Sequence, residues 1–164
     1  MKCLGVTLNS NFSMTDHIDE RIASTASGLY ALRTLRSKAL SESLLKSLFT
    51  SVILSKLTYA SPSWWGYTNA SDKSRLEAFL KKARKAKFSD HLSFDEICQN
   101  ADERLLKSVI FNKHHVLHPL LPPSKTHTYN TRAKDPFKNF NLPAKVISII
   151  EKNFFPRTLY KHAK

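Results

Sequence analysis

The acidic residues of this chain do not form the cluster that two-metal catalysis requires. Nucleotidyl transfer depends on neighbouring carboxylates that hold two metal ions against the reacting oxygens. The chain contains 13 Asp and Glu residues among its 164 residues, and no two Asp residues are adjacent. The sequence therefore predicts no catalytic site of this kind, and no catalytic residue is assigned.

Three histidines lie close together at a spacing that can bind a metal ion. His114 and His118 are four residues apart with His115 between them, and they would share one face of a predicted helix. A zinc site needs a third and a fourth ligand with partners that orient them, and the neighbouring sequence offers none. Phosphate-binding loops, nucleophile elbows and dinucleotide fingerprints are also missing. We therefore predict no metal and no cofactor.

Basic residues carry the strongest functional signal in the sequence. The 26 Lys and Arg residues give a formal net charge of +13. Such an excess indicates an anionic partner, most commonly nucleic acid, although charge alone does not distinguish nucleic acid from an acidic membrane surface. A helix predicted after residue 70 presents a basic outward face, which is either a solvated surface or a phosphate-binding one. Its residues are Arg75, Lys81, Lys82 and Lys85, flanked by Arg84.

Two further segments have the composition of nucleic-acid contacts. A predicted loop near residue 130 mixes an aromatic ring, an amide and two cations, which is typical of single-strand or backbone binding. The first predicted helix has a face of small residues that lets another backbone approach, either a neighbouring helix or a nucleic-acid strand. The candidate residues in the two segments are Tyr129, Arg132, Lys134, Ser24 and Ser27.

Apolar residues that repeat at the helical period predict the helices that position these groups. The first helix begins at a cap at Ser13 and runs to about Ser37. The third begins at the capping residues between Asn69 and Asp72. The inward residues are Ile18, Ile22, Thr25, Leu29 and Leu32 in the first helix, and Leu76, Phe79, Leu80 and Ala83 in the third.

The second predicted helix is the most apolar segment of the chain. It begins at a cap at Ser41 or Ser43, and Pro62 ends it because the residue before a proline leaves the helical conformation. Apolar side chains cover more than half of its circumference, so we expect neighbouring elements to surround it. The predicted core anchors here and just after are Leu48, Phe49, Val52, Tyr59, Trp64 and Trp65.

The remaining segments complete an all-α fold class. Alternation from Lys2 to Leu8 predicts one short strand, with Leu4, Val6 and Leu8 on the same face. Further helices are predicted over 94–98, from 102 to just before Pro119, and over 144–152. We predict a bundle of about five helices with an irregular carboxyl-terminal arm, divided into residues 1–10, 11–118 and 119–164.

The composition of the chain also indicates where in the cell the protein is located. No apolar run reaches the length of about 20 residues that spans a membrane, and the first residues lack the apolar core of a secretory signal. Two cysteines make no disulfide framework. We expect an intracellular protein, nuclear or cytoplasmic, that is not secreted and has no membrane partner.

Several short motifs occur in an order that resembles one known family. They are Leu4-Gly5-Val6, Tyr59-Ala60-Ser61-Pro62, Trp64-Trp65-Gly66, Leu117-His118 with Leu121-Pro122-Pro123, and the segment from Tyr129 to Lys134. Together they resemble the thumb and carboxyl-terminal region of reverse transcriptases from non-LTR retrotransposons of the jockey and chicken-repeat-1 type. The resemblance implies that residues 1–10 are the remnant of a palm strand in the primer grip, and that residues 11–118 form a thumb-like bundle.

The resemblance also implies a role for the chain. The family's thumb grips the template–primer duplex through its minor groove and backbone, so the partner would be an RNA–DNA hybrid or another duplex. With the catalytic palm absent, the chain would be a fragment of an RNA-directed DNA polymerase that is inactive alone. Two alternatives stay open: a domesticated or decayed nucleic-acid-binding protein, and a helical module that binds an acidic protein. The oligomeric state is not predicted.

Overall fold

The computed structural model describes residues 1–90, 93–125, 136–142 and 148–163. The chain divides into two compact units, Met1–Gln99 and Asn100–Lys164. The division falls inside one helix, whereas the sequence pattern predicted a boundary after residue 118. The described residues are mainly helical, with one short two-stranded sheet. The predicted all-α class is confirmed.

The first unit begins with a small hairpin. Strand β1 (Lys2–Cys3) pairs antiparallel with β2 (Val6–Thr7). The two turn residues between them, Leu4 and Gly5, have φ angles of 46° and 83°, the left-handed pair that a tight hairpin turn needs. The predicted single strand was therefore wrong. Leu4 lies at the tip and is 88% exposed, while Val6 is buried.

Helix α1 (Thr15–Ser37) has the predicted inward face. Its buried residues include Ile18, Thr25, Leu29 and Leu32, and Ile22 is partly buried. The cap predicted at Ser13 was wrong, because the N-cap residue is Met14 and no side chain caps the helix. The hydroxyl of Ser13 accepts a hydrogen bond from the Thr15 amide at 3.3 Å. The small-residue face is open to solvent.

The second predicted helix is built from three consecutive segments. They are α2 (Glu42–Leu48), a π-helical segment (Phe49–Leu54) and α3 (Ser55–Leu57). The Ser41 hydroxyl caps the start by accepting from the Leu44 amide at 3.4 Å. The segments run antiparallel to α1, because Ile53 packs against Gly28 and Lys56 donates to the Ser24 carbonyl. A Cβ atom at Gly28 would lie 2.9 Å from two atoms of Ile53, so glycine permits this close approach.

Only one side of this helix is covered, which corrects three of the predicted anchors. The covered side is formed by residues four apart, including Leu45, Phe49 and Ile53. Leu48 is 36% exposed and Val52 is 59% exposed, since both fall on the side away from α1. Tyr59 is also half exposed, because it follows the helix and points its hydroxyl at the Leu4 carbonyl, 3.3 Å away.

The predicted end of this helix was also misplaced. α3 ends at Leu57, and Ala60 adopts a left-handed conformation with φ of 53°. Pro62 lies in the first turn of the next helix, α4 (Ser61–Trp64), where its missing N–H costs nothing. A 3-10 turn (Trp65–Tyr67) comes next. Trp64 and Trp65 are buried as predicted, and the Trp64 indole donates to the Tyr59 carbonyl at 2.9 Å.

Helix α5 (Ala70–Lys85) has the inward face predicted for it. Its start is capped by Asn69, whose side chain accepts from the Asp72 amide at 2.7 Å. The residues predicted to face inward, Leu76, Phe79, Leu80 and Ala83, are buried. They join the core of the first unit, whose largest fully buried side chains include Trp64, Phe49, Phe88, Phe94 and Met14.

The two helices predicted after residue 93 form one continuous helix, α6 (Phe94–Phe111). No glycine or proline interrupts the chain between them, so the helix continues through residues 99–101. It ends at Phe111 rather than just before Pro119, and a 3-10 turn (His118–Leu120) forms separately further along the chain.

The second unit has a small core of its own. Besides most of α6, it contains a 3-10 turn (Pro136–Lys138), α7 (Ser148–Glu151) and α8 (Phe154–Ala163). Leu106, Phe154 and Leu159 form the buried cluster. Arg157 donates two hydrogen bonds of 2.8 Å to the Asp102 carboxylate. Of the helix predicted over 144–152, the structure describes only α7, and α8 was not predicted.

Candidate nucleic-acid interface

Three lysines near the carboxyl end of α5 are exposed as predicted. Lys81, Lys82 and Lys85 lie outside the buried face of the helix. None of them forms an ion pair with a carboxylate in the described part of the chain. The carboxyl end of a helix carries a partial negative charge, which lowers the cost of placing cations there. These three ammonium groups are accessible to an anionic ligand.

Arg75 lies on the same helix but already has two partners. It pairs with Asp19 of α1 and, at 3.1 Å, with Asp72 of its own helix. The hydrogen bond to Asp19 is the main reason that the pKa of Arg75 is raised above its ordinary value. Thr15 of α1 donates to the same Asp72 at 2.8 Å. Arg75 therefore helps to join the starts of α1 and α5, and phosphate binding would compete with that contact.

Arg84 lies on the other flank of α5, at the edge of a cleft. Its guanidinium donates to Glu77 at 3.2 Å, and the second Glu77 oxygen accepts from the Phe94 amide at 2.8 Å. The cleft has a volume of about 590 Å³ and is also lined by Lys73 and Lys81. Lys73 lies over the ring of Trp65 at 4.4 Å. Arg84 thus connects α5 to the start of α6, and it lines the same cleft as Lys81, one of the three exposed lysines.

The carboxyl ends of α1 and α5 lie together, which the sequence did not predict. Arg36 donates a hydrogen bond to the Ala86 carbonyl, and its guanidinium lies 4.3 Å from the centre of the Phe88 ring. The starts of the helices are joined through Thr15 and Asp72. Since both starts and both ends are joined, α1 and α5 run parallel.

This parallel packing adds cations from α1 to those of α5. Residues 33–38 and 81–87 together contain eight basic residues and no acidic ones. Arg36 and Arg84 have the contacts described above. We call the other six the two-helix basic surface: Arg33, Lys38, Lys81, Lys82, Lys85 and Lys87, all of them exposed. The acid-free run at the end of the first helix was a signal that could have identified Arg33 and Lys38.

Ser24 and Ser27, the other candidate residues that the structure describes, lie elsewhere on α1. Ser24 lies beside α3, because its carbonyl accepts from Lys56 at 3.3 Å. Ser27 is exposed on the same helix, one turn further along. Tyr129, Arg132 and Lys134 lie outside the described residues, so their predicted role stays a prediction.

His114 and His118 do not share a helix face, so the face predicted for these two residues was wrong. His114 and His115 lie in turns after the end of α6, and His118 begins a 3-10 turn. His115 accepts a hydrogen bond through Nδ1 from the Leu117 amide at 3.1 Å. Within the described ranges, no three His, Cys, Asp or Glu side chains are grouped in a way that could hold a metal ion.

The helices are also unsuited to crossing a membrane. In the part of the chain that the structure covers, none is both long enough and apolar enough to span a bilayer.

Comparisons of the chain with protein-family models, with curated proteins and with solved structures found no match. The resemblance to retrotransposon reverse transcriptases therefore stays a prediction.

Proposed function

We propose that this chain binds duplex nucleic acid through its sugar–phosphate backbone, using the two-helix basic surface. The observation that carries the proposal is the parallel packing of α1 and α5, which brings together the cations of residues 33–38 and 81–87, two stretches of sequence that contain no carboxylate. Each phosphate contact releases condensed counterions, so such a surface binds strongly at low salt without reading base sequence. This is the activity that the resemblance to a polymerase thumb implies, and an RNA–DNA hybrid is the partner to test first.

The proposal includes no catalysis by this chain. As a fragment of an RNA-directed DNA polymerase it would hold the template–primer duplex, while the metal-binding carboxylates would belong to a palm domain. Nucleotide incorporation with magnesium or manganese that survives purification, and is absent from a mock preparation, would contradict this part of the proposal.

The test measures the salt dependence of binding to a labelled RNA–DNA hybrid. The variant Lys81→Gln/Lys82→Gln/Lys85→Gln removes three of the four cations that the α5 end contributes to the surface and keeps Lys87. The logarithm of affinity falls with the logarithm of salt by about 0.9 for each phosphate contacted, so the slope should flatten by about two to three units. Two hybrids of different base sequence should lose affinity by similar factors. Thermal stability should hardly change, because these side chains are exposed.

The matched control is Lys113→Gln/Lys125→Gln/Lys152→Gln, which removes the same charge at three exposed positions of the second unit. The control should retain the parent slope. Equal slopes for all three proteins would overturn the proposal, and the α5 lysines would then form an ordinary solvated surface.

A second candidate function is binding to a protein partner. Leu44, Leu48 and Val52 form an exposed apolar stripe along α2 and the π-helical segment, and contiguous exposed apolar surface favours protein interaction. The basic surface offers a second route to a protein partner, because it could bind an acidic protein, and competition with polyglutamate tests that route. If polyglutamate displaces the hybrid as effectively as unlabelled hybrid does, the basic surface fits an acidic protein rather than a duplex.

A further inference from the structure

The amino-terminal hairpin is held in place mainly by polar contacts. It contains only two paired positions in its strands, and a hairpin of this size is not stable alone. Val6 is its one buried apolar residue. Lys2 pairs with Glu20 at 3.0 Å, and Arg21 donates to the Gly5 carbonyl. The position of the hairpin therefore depends on a few groups of α1 and on Tyr59, whose hydroxyl donates to the Leu4 carbonyl.

One of these groups is the buried imidazole of His17. Its exposed fraction is 0%. Nδ1 accepts a hydrogen bond from the Thr7 amide at 3.2 Å. Nε2 is buried and has no hydrogen-bond partner. The ring packs edge-on against Trp64 of α4, with 5.4 Å between centroids. Because the Thr7 amide can only donate, Nδ1 must be unprotonated and the ring neutral while the hairpin is docked.

The charges around the ring oppose its protonation. Those facing it are Arg21 and Glu20 on α1 and Lys2 on β1, and Trp64 of α4 adds none. Burial is the largest cause that lowers the pKa of His17. The positive charges of Arg21 and Lys2 also lower it, whereas Glu20 raises it. Glu20 is held by Lys2 and by the Thr7 hydroxyl, and these contacts lower the pKa of Glu20 itself. It therefore stays ionised at mildly acidic pH.

We propose that protonation of His17 releases the hairpin from α1, so that the docking of the hairpin depends on pH and is lost in acid. A proton on Nδ1 turns the acceptor of the Thr7 amide into a second donor. It also leaves a buried cation beside Arg21, and releasing the hairpin lets water solvate that cation. The docked state binds fewer protons than the released state. Docking is therefore complete above the ordinary histidine pKa of about 6.5 and weakens as the pH falls below it.

Release of the hairpin would uncover apolar surface. A cleft of about 360 Å³ lies between the hairpin and the α3–α4 junction. Val6 and Leu8 line it on the hairpin side, and Tyr59 and Ala60 line it on the other. Fluorescence of an apolar dye should therefore rise together with the release.

The test measures hydrogen exchange of the Thr7 amide in the full chain, between about pH 8 and pH 5. After correction for the intrinsic exchange rate, protection should fall by up to about tenfold per pH unit below the ordinary pKa, as expected for one linked proton. In His17→Gln, the side-chain oxygen can accept from the Thr7 amide without titrating, so protection should not depend on pH. His114→Gln changes an exposed histidine and should behave like the parent.

Three outcomes would overturn the proposal. The first is parent protection that does not change over this range, and the second is a pH dependence that persists in His17→Gln. The third outcome uses the parent protein alone, so it applies even if that variant fails to fold. The proposal requires that the nuclear magnetic resonance titration of the His17 ring and the loss of Thr7 protection have the same midpoint. Separate midpoints would mean that another group controls the hairpin.

Discussion

Two residues beyond the end of each of the helices α1 and α5 lies a residue in the left-handed conformation that is not glycine. Ala39 has a φ of 63° and Lys87 a φ of 54°. In each case the following amide donates back to the last turn: Leu40 to the Leu35 carbonyl at 3.2 Å, and Phe88 to Ala83 at 3.0 Å. This is the hydrogen-bond pattern in which glycine is normally favoured, because a Cβ atom is strained there. The chain contains only three glycines, and these two helix ends carry the proposed binding surface.

Relief of this strain is testable at Ala39. The substitution Ala39→Gly should raise the free energy of unfolding by about 1 kcal/mol, because glycine adopts this conformation without the Cβ penalty. The matched control is Ala31→Gly, an exposed site within α1, where the same change should lower the free energy of unfolding by about 0.5–1 kcal/mol. Urea denaturation measures both values. Destabilisation by both substitutions would contradict the strain argument.

Among the elements, the helix from α2 to α3 shows why a very apolar segment is hard to orient from sequence. Leu44, Leu45, Leu48 and Phe49 are all apolar, yet only Leu45 and Phe49 are buried. Helix α1 packs against only one side of this helix. The π-helical segment contains an extra residue in its turn, and this rotates the residues that follow it around the helix axis. A helical wheel drawn at 3.6 residues per turn shows neither the side on which α1 packs nor the rotation caused by the π-helical segment.

The two sides of this helix should respond very differently to truncation. Leu45 is 2% exposed, so Leu45→Ala should lower the free energy of unfolding by about 2–5 kcal/mol by leaving a cavity. Val52 is exposed, so Val52→Ala should change it by about 0.5 kcal/mol or less. Denaturant midpoints compare the two variants directly. Similar losses for both would mean that a partner covers the Val52 side, or that the helix is turned differently.

Helices with one clear apolar stripe were predictable, and their tertiary pairing was not. The stripes from Ile18 to Leu32 and from Leu76 to Ala83 identified the buried faces of α1 and α5, and so the exposure of Lys81, Lys82 and Lys85. The contributions of Arg33 and Lys38 depend on the parallel packing of α1 and α5, which is fixed by contacts between residues 50 or more positions apart. Such contacts have no periodic signal in a single sequence.

At the scale of the whole chain, the amount of charge and its arrangement differ between the two units. Residues 1–99 contain 14 basic and 9 acidic residues, a net charge of +5, and residues 100–164 contain 12 and 4, a net charge of +8. The first unit has the smaller excess. Its cations are nevertheless concentrated at two adjoining helix ends, while most of its carboxylates lie elsewhere. If the chain attracts polyanions only in a general way, its affinity should depend on the total net charge. If it binds a nucleic-acid backbone, its affinity should depend on where the cations lie on the surface.

The last prediction separates these two possibilities with α1 rather than α5. The variant Arg33→Gln/Lys38→Gln and its control Lys113→Gln/Lys152→Gln both lower the net charge by two, at exposed positions. If the α1 end belongs to the same binding surface, only the first variant should flatten the salt slope for an RNA–DNA hybrid, by about two units. Combined with the three α5 substitutions, its effect on the slope should add, since each lost phosphate contact releases its own counterions. Equal changes in the two double variants would mean that binding follows total charge, and the two helix ends would then have no special role.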